Sequence, residues 1–384
     1  MLTSILVFST IFLAYNNGAN DNFKGVATLY GSGTLGFKTA LTIATITTFL
    51  GSITAIFIAN GLIQSFSGKG LVPQEIAGSV DFLIAVGFGA GFTVLLATRL
   101  GFPVSTTHSL VGGLMGAGLM AVGMEINFIN LGSAFFIPLL VSPFLAFALG
   151  MIVYFFFKNI KKSLGLTKET CVCIGEKKQY VPVSALNDNQ MKSVASSMNI
   201  KTFDRNFDKM QVQIAKHDEC VQVYTNKVFG FSIQKALDGA HILSAAAVSF
   251  ARGLNDTPKI AGLLVAAQSL DIKFGMIAIA VGMAIGGLLN SKLVAQTMSK
   301  KITKLNHGQG LCANLVTSFL VIIASKFGIP VSTTHVSVGS IFGIGMISKN
   351  YNSKVIKSIL LSWVVTLPIG MFFSAICYFI VQKF

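Results

Sequence analysis

Charge is scarce in this chain. Of its 384 residues only 11% are Asp, Glu, Lys or Arg, while 53% are hydrophobic and the mean hydropathy is +0.71. An ordinary soluble domain carries about 25% charged residues. A water-facing surface cannot be built from this composition, which excludes a soluble enzyme, a disordered chain and a coiled coil together. Cysteine is equally thin: Cys312 and Cys377 lie in apolar runs, and the five cysteines show no paired spacing of the kind that builds a disulfide framework. A basic segment and a small-residue cleavage site are missing after Met1, so the first apolar run reads as a retained span rather than a signal peptide.

Long apolar sequence is what the chain has in quantity. Runs such as Thr39 to Gly61, Ser133 to Phe157 and Ile356 to Val381 reach the roughly 18 residues or more that cross about 30 Å of hydrocarbon. The reading is an all-α polytopic protein of the cell membrane. Spans are expected near Thr3 to Ala19, Thr39 to Gly61, Val80 to Thr98, Leu131 to Phe157, Ala236 to Ala251, Phe274 to Asn290, Leu311 to Ser325 and Ile356 to Gln382. The net charge of +15 would suggest a nucleic-acid partner in a soluble protein. Here the excess lies between apolar runs, where Lys and Arg mark the cytoplasmic side; it reads as topology, with no nucleic acid expected.

One polar stretch interrupts the pattern. Lys158 to Lys235 carries 13 Lys or Arg against seven Asp or Glu, and its Val-rich pieces Gln179 to Val183 and Val221 to Tyr224 read as strands. The expected organisation is a first transmembrane repeat over 1–157, a small cytoplasmic insert over 158–235 and a second repeat over 236–384. Cys171, Cys173, His217 and Cys220 in the insert have ligand chemistry for zinc, but the first pair is spaced C-x-C, unlike the usual C-x-x-C. Structural cysteines with no metal are the expectation.

The two halves match each other. Ala97 to Gly118 reads ATRLGFPVSTTHSLVGGLMGAG, and Ala324 to Gly345 reads ASKFGIPVSTTHVSVGSIFGIG. Earlier in each half, Gly18 to Lys24 reads GANDNFK and Gly253 to Lys259 reads GLNDTPK. Two copies of two motifs in one order are the mark of a transporter made of two repeats around a central site. In the PVSTTH motif, Pro suits a helix start and Ser or Thr its N-cap. The glycine-rich stretch that follows is short for a full span, which fits a re-entrant hairpin with its tip inside the membrane. A helix N-terminus offers unpaired N–H groups and about half a positive charge to an oxyanion. The hydroxyls of Ser105, Thr106, Thr107, Ser332, Thr333 and Thr334 add groups that both donate and accept, as a tetrahedral oxyanion carrying its own proton requires. Two such tips facing each other would make an anion cradle.

Asn20, Asp21, Asn255 and Asp256 read differently. A carboxylate inside a bilayer costs roughly 2.5 kcal/mol or more and needs a partner. Gly18 and Gly253 permit unwound backbone whose carbonyls, with the Asn and Asp oxygens, would hold a hard monovalent cation; alternatively each Asp carries a proton. Either makes it the coupling site; the plainer reading is a salt bridge that merely locks helices. His108 and His335 read equally as proton carriers and as packing residues.

These paired motifs, split by a polar central loop, resemble the inorganic phosphate transporter family, which includes sodium-coupled and proton-coupled phosphate symporters and a sulfate permease branch. The resemblance covers both halves and leaves the insert uncovered. It implies inverted repeats, broken helices, two re-entrant hairpins and symport of inorganic phosphate with a cation, Na+ or H+, and no further cofactor. By it, the anion ligands would be drawn from the six hydroxyls with Asn20 and Asn255, and the cation would sit at Asn20, Asp21, Asn255 and Asp256. One departure stands out. Where the family usually runs Val-Ala-Asn-Ala, this chain has Asn22-Phe23-Lys24 and Thr257-Pro258-Lys259. Lys24 and Lys259, each three residues past an Asp, would share a helix face with it and stand in for bound cations, either holding the anion directly or pairing with Asp21 and Asp256 until substrate arrives, which shifts the expectation toward protons and leaves room for sulfate. The plainer reading is that both snorkel to the interface.

Other classes are less well served. In a channel, bare carboxylates beside the path would repel the anion. A membrane enzyme acting on phosphate esters would need a metal cluster or activated nucleophile, and the motifs offer neither. Gly282-x-x-x-Gly286 fits close helix packing, either within the chain or between two copies in a homodimer.

Overall fold

The computed structural model describes residues 2–164, 170–175, 211–216, 229–266, 271–302 and 305–383. The strands expected at 179–183 and 221–224 lie outside the described residues, as do His217 and Cys220. The chain divides into two compact units, Met1–Lys158 with Ala240–Phe384, and Asn159–Gly239. The second holds β1 (Thr170–Gly175), β2 (Gln211–Lys216) and β3 (Phe229–Ser232) in an antiparallel sheet of order β2-β1-β3. Val172 of β1 lies opposite Ile214 of β2 and Phe231 of β3.

The first unit is helical. Its long helices from the N-terminal half are α1 (Leu2–Asp21), α2 (Phe37–Ile58), α3 (Val80–Arg99), α4 (Thr106–Val122) and α5 (Ile137–Ser163). From the C-terminal half come α6 (Ile233–Ala261), α7 (Ile272–Asn290), α8 (His307–Lys326), α9 (Thr333–Ser348) and α10 (Ser353–Val381). Helix α1 ends at Asp21, runs on as a 3-10 turn over Asn22–Val26 and resumes as a short helix over Ala27–Gly31. Pro258 lies in the last turn of α6, and the chain passes into a 3-10 segment, Gly262–Ala266. Proline lacks the N–H that would bond the carbonyl four residues earlier, that of Leu254; the winding also changes in the first half, at Asn22, where no proline stands.

Eight helical segments among the described residues are long and apolar enough to cross a membrane. The set differs from the sequence expectation in two places. Thr106–Glu125, read as one arm of a hairpin, qualifies by length and hydropathy. The span expected at Ala236 to Ala251 is the middle of the 29-residue α6, whose Lys235, Asp238, Arg252, Asp256 and Lys259 keep it out of the apolar set.

Polarity is arranged as hydrocarbon demands. Phe57 is 74% exposed and Phe144 68%, while Asp21, Lys24, Arg252, Asp256 and Lys259 are all buried. Lipid accepts the aromatic rings and cannot hydrogen-bond the charges, so the charges collect inside.

Close helix contact is made by glycine at matching positions of the two halves. In α1, a Cβ on Gly18 would collide with the Met283 carbonyl of α7; in α6, one on Gly253 would collide with the Thr48 carbonyl of α2. Gly112 and Gly116 of α4 meet the backbone of α10 at Leu367 and Met371, and Gly339 and Gly343 of α9 meet that of α5 at Pro143 and Phe147. Each half therefore lays helices against the other half's backbone. The Gly282-x-x-x-Gly286 pair is engaged in the same way within the chain, against Ile11, Ala14 and Tyr15 of α1.

Replacing Gly116 or Gly343 by Ala forces a methyl into a backbone carbonyl and should lower unfolding stability by about 1–3 kcal/mol. Gly36→Ala, with nothing within 4 Å of the new methyl, should stay within about 0.5 kcal/mol. Denaturant or thermal unfolding in detergent checks the difference.

Candidate functional site

The two PVSTTH motifs form the same local structure. Ser105 is the N-cap of α4, its hydroxyl accepting from the His108 amide at 3.2 Å; Ser332 caps α9 and accepts from His335 at 3.2 Å. Serine caps by accepting from an otherwise orphaned N–H. Both serine hydroxyls are therefore engaged in starting the helices that carry Thr106, Thr107, Thr333 and Thr334. All six of these residues are buried.

The two helix starts meet crosswise. The Thr107 hydroxyl donates to the Val331 carbonyl at 3.3 Å, and Thr334 donates to the Val104 carbonyl at 3.0 Å. An ammonium group reinforces each crossing. Lys24 Nζ donates to the Val104 carbonyl at 2.6 Å and to Thr334 Oγ1 at 2.8 Å; Lys259 Nζ donates to the Val331 carbonyl at 2.6 Å and to Thr107 Oγ1 at 2.9 Å. Each lysine thus binds the residue before its own half's cap and a threonine of the other half.

The carboxylates complete these cages. Asp21 Oδ1 pairs with Lys24 Nζ, and Asp256 Oδ1 lies 3.5 Å from Lys259 Nζ. The three-residue spacing brings ammonium and carboxylate together around each Asp-Lys pair. Between the two aspartates sits a residue the sequence reading did not single out. Arg252 Nη2 is 3.3 Å from Asp21 Oδ2 and 3.7 Å from Asp256 Oδ2, so one guanidinium joins the two halves. It precedes the Gly253 motif by one position, opposite Asn17 in the first half. Aligning the halves one residue further upstream would have exposed an arginine against an asparagine.

Five formally charged side chains are thereby buried in one cluster, three cationic and two anionic. Taking ions out of water costs several kcal/mol each, and only mutual attraction with good hydrogen bonding offsets it.

The asparagines hold the turns that lead into the tips. Asn20 Nδ2 donates to Thr98 Oγ1 at 2.9 Å and to the Phe102 carbonyl at 3.0 Å, and its Oδ1 accepts from the Val104 amide. Asn255 Nδ2 donates to Asp256 Oδ1 at 3.0 Å and to the Val331 carbonyl at 3.3 Å, while Ser325 donates to its Oδ1. Thr98 and Ser325 occupy matching positions in the duplicated motif. Asn17, also missed in the sequence, donates to Thr106 Oγ1 at 2.8 Å, and Thr106 in turn donates to Asp21 Oδ2 at 3.4 Å.

One expectation is corrected here. Gly18 and Gly253 themselves lie within α-helix, and the winding changes only after them, at Asn22 and at Gly262. Their lack of a side chain serves close packing against Met283 and Thr48 instead, and the carbonyls that do reach the cluster are those of Val104 and Val331. The two histidines lie to one side. Their rings are 4.5 Å apart, His335 is stacked on Trp363 at 3.7 Å, and both line an apolar cavity of about 590 Å³ with Leu139, Phe147 and Leu367.

Against known proteins, residues 17–374 match the model of the phosphate transporter family. A Haemophilus influenzae relative named as a phosphate permease is 28% identical over 405 residues, covering 97% of this chain and 94% of its own. The Arabidopsis thaliana protein named inorganic phosphate transporter 2-1, chloroplastic, is 26% identical over 433 residues, covering 99% of this chain and 73% of its own. A solved structure described as the sodium-dependent phosphate transporter shares the fold, with a TM-score of 0.73 at 24% identity over 100% of this chain and 99% of that one. The apolar helices and the family match make this a multi-pass membrane protein.

Lys24→Met leaves Asp21 without its nearest counter-charge and should destabilise the fold by about 3–5 kcal/mol. Adding Asp21→Asn should recover at least half of that loss. Unfolding of the single and double variants in detergent measures the coupling; independent, additive losses would show that the pair is not a unit.

Proposed function

The chain belongs to the phosphate transporter family, and on that premise we propose that it is a secondary active transporter taking up inorganic phosphate by symport with a cation. The observation that carries this reading is the crosswise meeting of two serine-capped helix starts, joined through Thr107, Thr334, Lys24 and Lys259. Two helix N-termini converging on buried hydroxyls favour a tetrahedral oxyanion over a cation or an apolar solute. Substrate ligands are drawn from Thr106, Thr107, Thr333 and Thr334, with Ser105, Ser332, Asn20 and Asn255 fixing the backbone around them.

The architecture we assign is two inverted repeats, 1–157 and 236–384, flanking a cytoplasmic insert over 158–235. Each half has five long helices; with the two that flank each PVSTTH turn counted as full spans or as the arms of one hairpin, the crossings number five or three, and an odd number turns the second half over. The segments around PVSTTH would be the re-entrant hairpins, and transport would proceed by rocking of one set of helices against the other around the cluster.

For the coupling ion, the lysines favour protons. Each Nζ sits among a carboxylate, a carbonyl and a hydroxyl oxygen, the ligand types a hard monovalent cation takes, and each is covalently tethered. A chain carrying its own cations there has less need of sodium, although the structural neighbour is described as sodium-dependent.

Uptake of labelled phosphate into proteoliposomes in sodium-free buffer should persist and rise as external pH falls. Strict sodium dependence, retained when both lysines are replaced by Ala, would overturn the tethered-cation reading. In the same assay Thr106→Val or Thr333→Val keeps shape and deletes a donor, and should raise KM about fivefold or more, the equivalent of roughly 1 kcal/mol or more of polar contact. Unchanged KM in both variants would remove the hydroxyl cradle from the mechanism.

A further inference from the structure

We propose that Arg252 is a direct ligand of the transported oxyanion, and that the surplus positive charge it gives the buried cluster selects a singly charged anion over a doubly charged one. The inference rests on the transport reading above and extends it to a residue and a selectivity.

Arg252 is nearly fully buried, yet among the described residues no hydrogen-bond acceptor satisfies its Nε, Nη1 or Nη2. Its contacts are two long ion pairs made by the single nitrogen Nη2, to Asp21 Oδ2 and Asp256 Oδ2. A guanidinium presents five donors in a planar fork. Leaving them unmet in an apolar bundle is costly, and such an arrangement is suited to an acceptor that arrives and departs.

The charge balance points the same way. Each lysine has its own aspartate three residues earlier, Lys24 with Asp21 and Lys259 with Asp256. The charge of Arg252 is therefore the surplus of the cluster. Nor does the fold at this position require an arginine: its counterpart Asn17 meets the equivalent place in the first half with a neutral amide, bonded to Thr106. The position breaks the duplication with a cation, in a cluster otherwise built in pairs.

Arg252 is also next to the helix starts. Asp21 Oδ2, which faces its Nη2, accepts from Thr106 Oγ1 in the first turn of α4 at 3.4 Å. Asp21 Oδ2 fills the place between Nη2 and that turn, so an oxyanion would take the donors of the guanidinium that face no acceptor, through the charge-assisted hydrogen bonds by which arginine recognises phosphate. It would also face the carboxylates of Asp21 and Asp256. A singly charged anion neutralises the cluster; a doubly charged one leaves it negative in a low-dielectric surrounding, which is strongly disfavoured. Near neutral pH phosphate offers a singly charged form and sulfate does not. The discrimination follows from charge, since the two ions have one shape.

The test measures binding of labelled phosphate to the full chain in lipid nanodiscs, with sulfate as competitor, alongside phosphate uptake in proteoliposomes. In the wild type, sulfate in about a hundredfold excess should displace little phosphate. Arg252→Asn, which copies the residue of the first half, should weaken phosphate binding about tenfold or more, the loss expected for a hydrogen bond to a charged group. Arg252→Lys keeps the charge without the fork; it should weaken binding while still rejecting sulfate, and it decides the matter if the Asn variant does not fold. Affinity within about twofold of wild type in either variant overturns the role of Arg252 as a ligand, because both lose the bidentate contact. Sulfate displacing phosphate at parity in the wild type overturns the charge selection. Phosphate binding that depends on Arg252 without uptake would keep this inference and remove the transport reading; no phosphate binding at all would remove both.

Discussion

Two carboxylates and three cationic groups, buried where neither water nor lipid can solvate them, impose the constraint on which the centre of this protein depends. Asp21 and Asp256 come from opposite halves of the chain, and Arg252 reaches both. An isolated charge in such a place is prohibitively expensive, so the five groups are tolerated only together. That requirement draws α1 and α6 toward one point. The lysines then reach onward to Val104, Val331, Thr107 and Thr334, so the helix starts of α4 and α9 are held by the same groups that balance the charge.

Such convergence needs helices to come closer than ordinary side chains permit. Glycines at matching positions supply the approach: Gly18 and Gly253 at the level of the aspartates, Gly112 and Gly339 along the helices that begin at the caps. In a bilayer there is little hydrophobic drive between helices, and close van der Waals contact through small residues takes its place. Packing and electrostatics are thus coupled. Were the glycine contacts wider, the ammonium groups would fall short of the opposite half's threonines.

The halves repeat each other in detail, which makes their departures informative. Asn20 and Asn255 both tether the turn before a cap, with Thr98 and Ser325 as corresponding partners. Lys24 and Lys259 make corresponding crosswise bonds. Arg252 and Asn17 do not correspond, and there the duplicated framework acquires a net charge. A two-fold arrangement of Asp-Lys pairs alone would carry no net charge; the one unmatched guanidinium gives the cluster its surplus.

Much of this was legible in the residues alone. Apolar runs are a length measurement against the thickness of hydrocarbon, so the membrane class follows without any knowledge of packing. The duplicated Pro-Val-Ser-Thr-Thr-His placed the two caps because capping is local chemistry, settled within four residues, and the Asp-Lys spacing placed each ion pair for the same reason. Tertiary structure decided what depends on distance across the chain. That Ser105 and Ser332 serve their own helices while Thr107 and Thr334 face the opposite half, that Gly18 and Gly253 are points of close helix contact, and that Arg252 stands between two aspartates 235 residues apart in sequence are consequences of helices meeting, and no local pattern encodes a meeting.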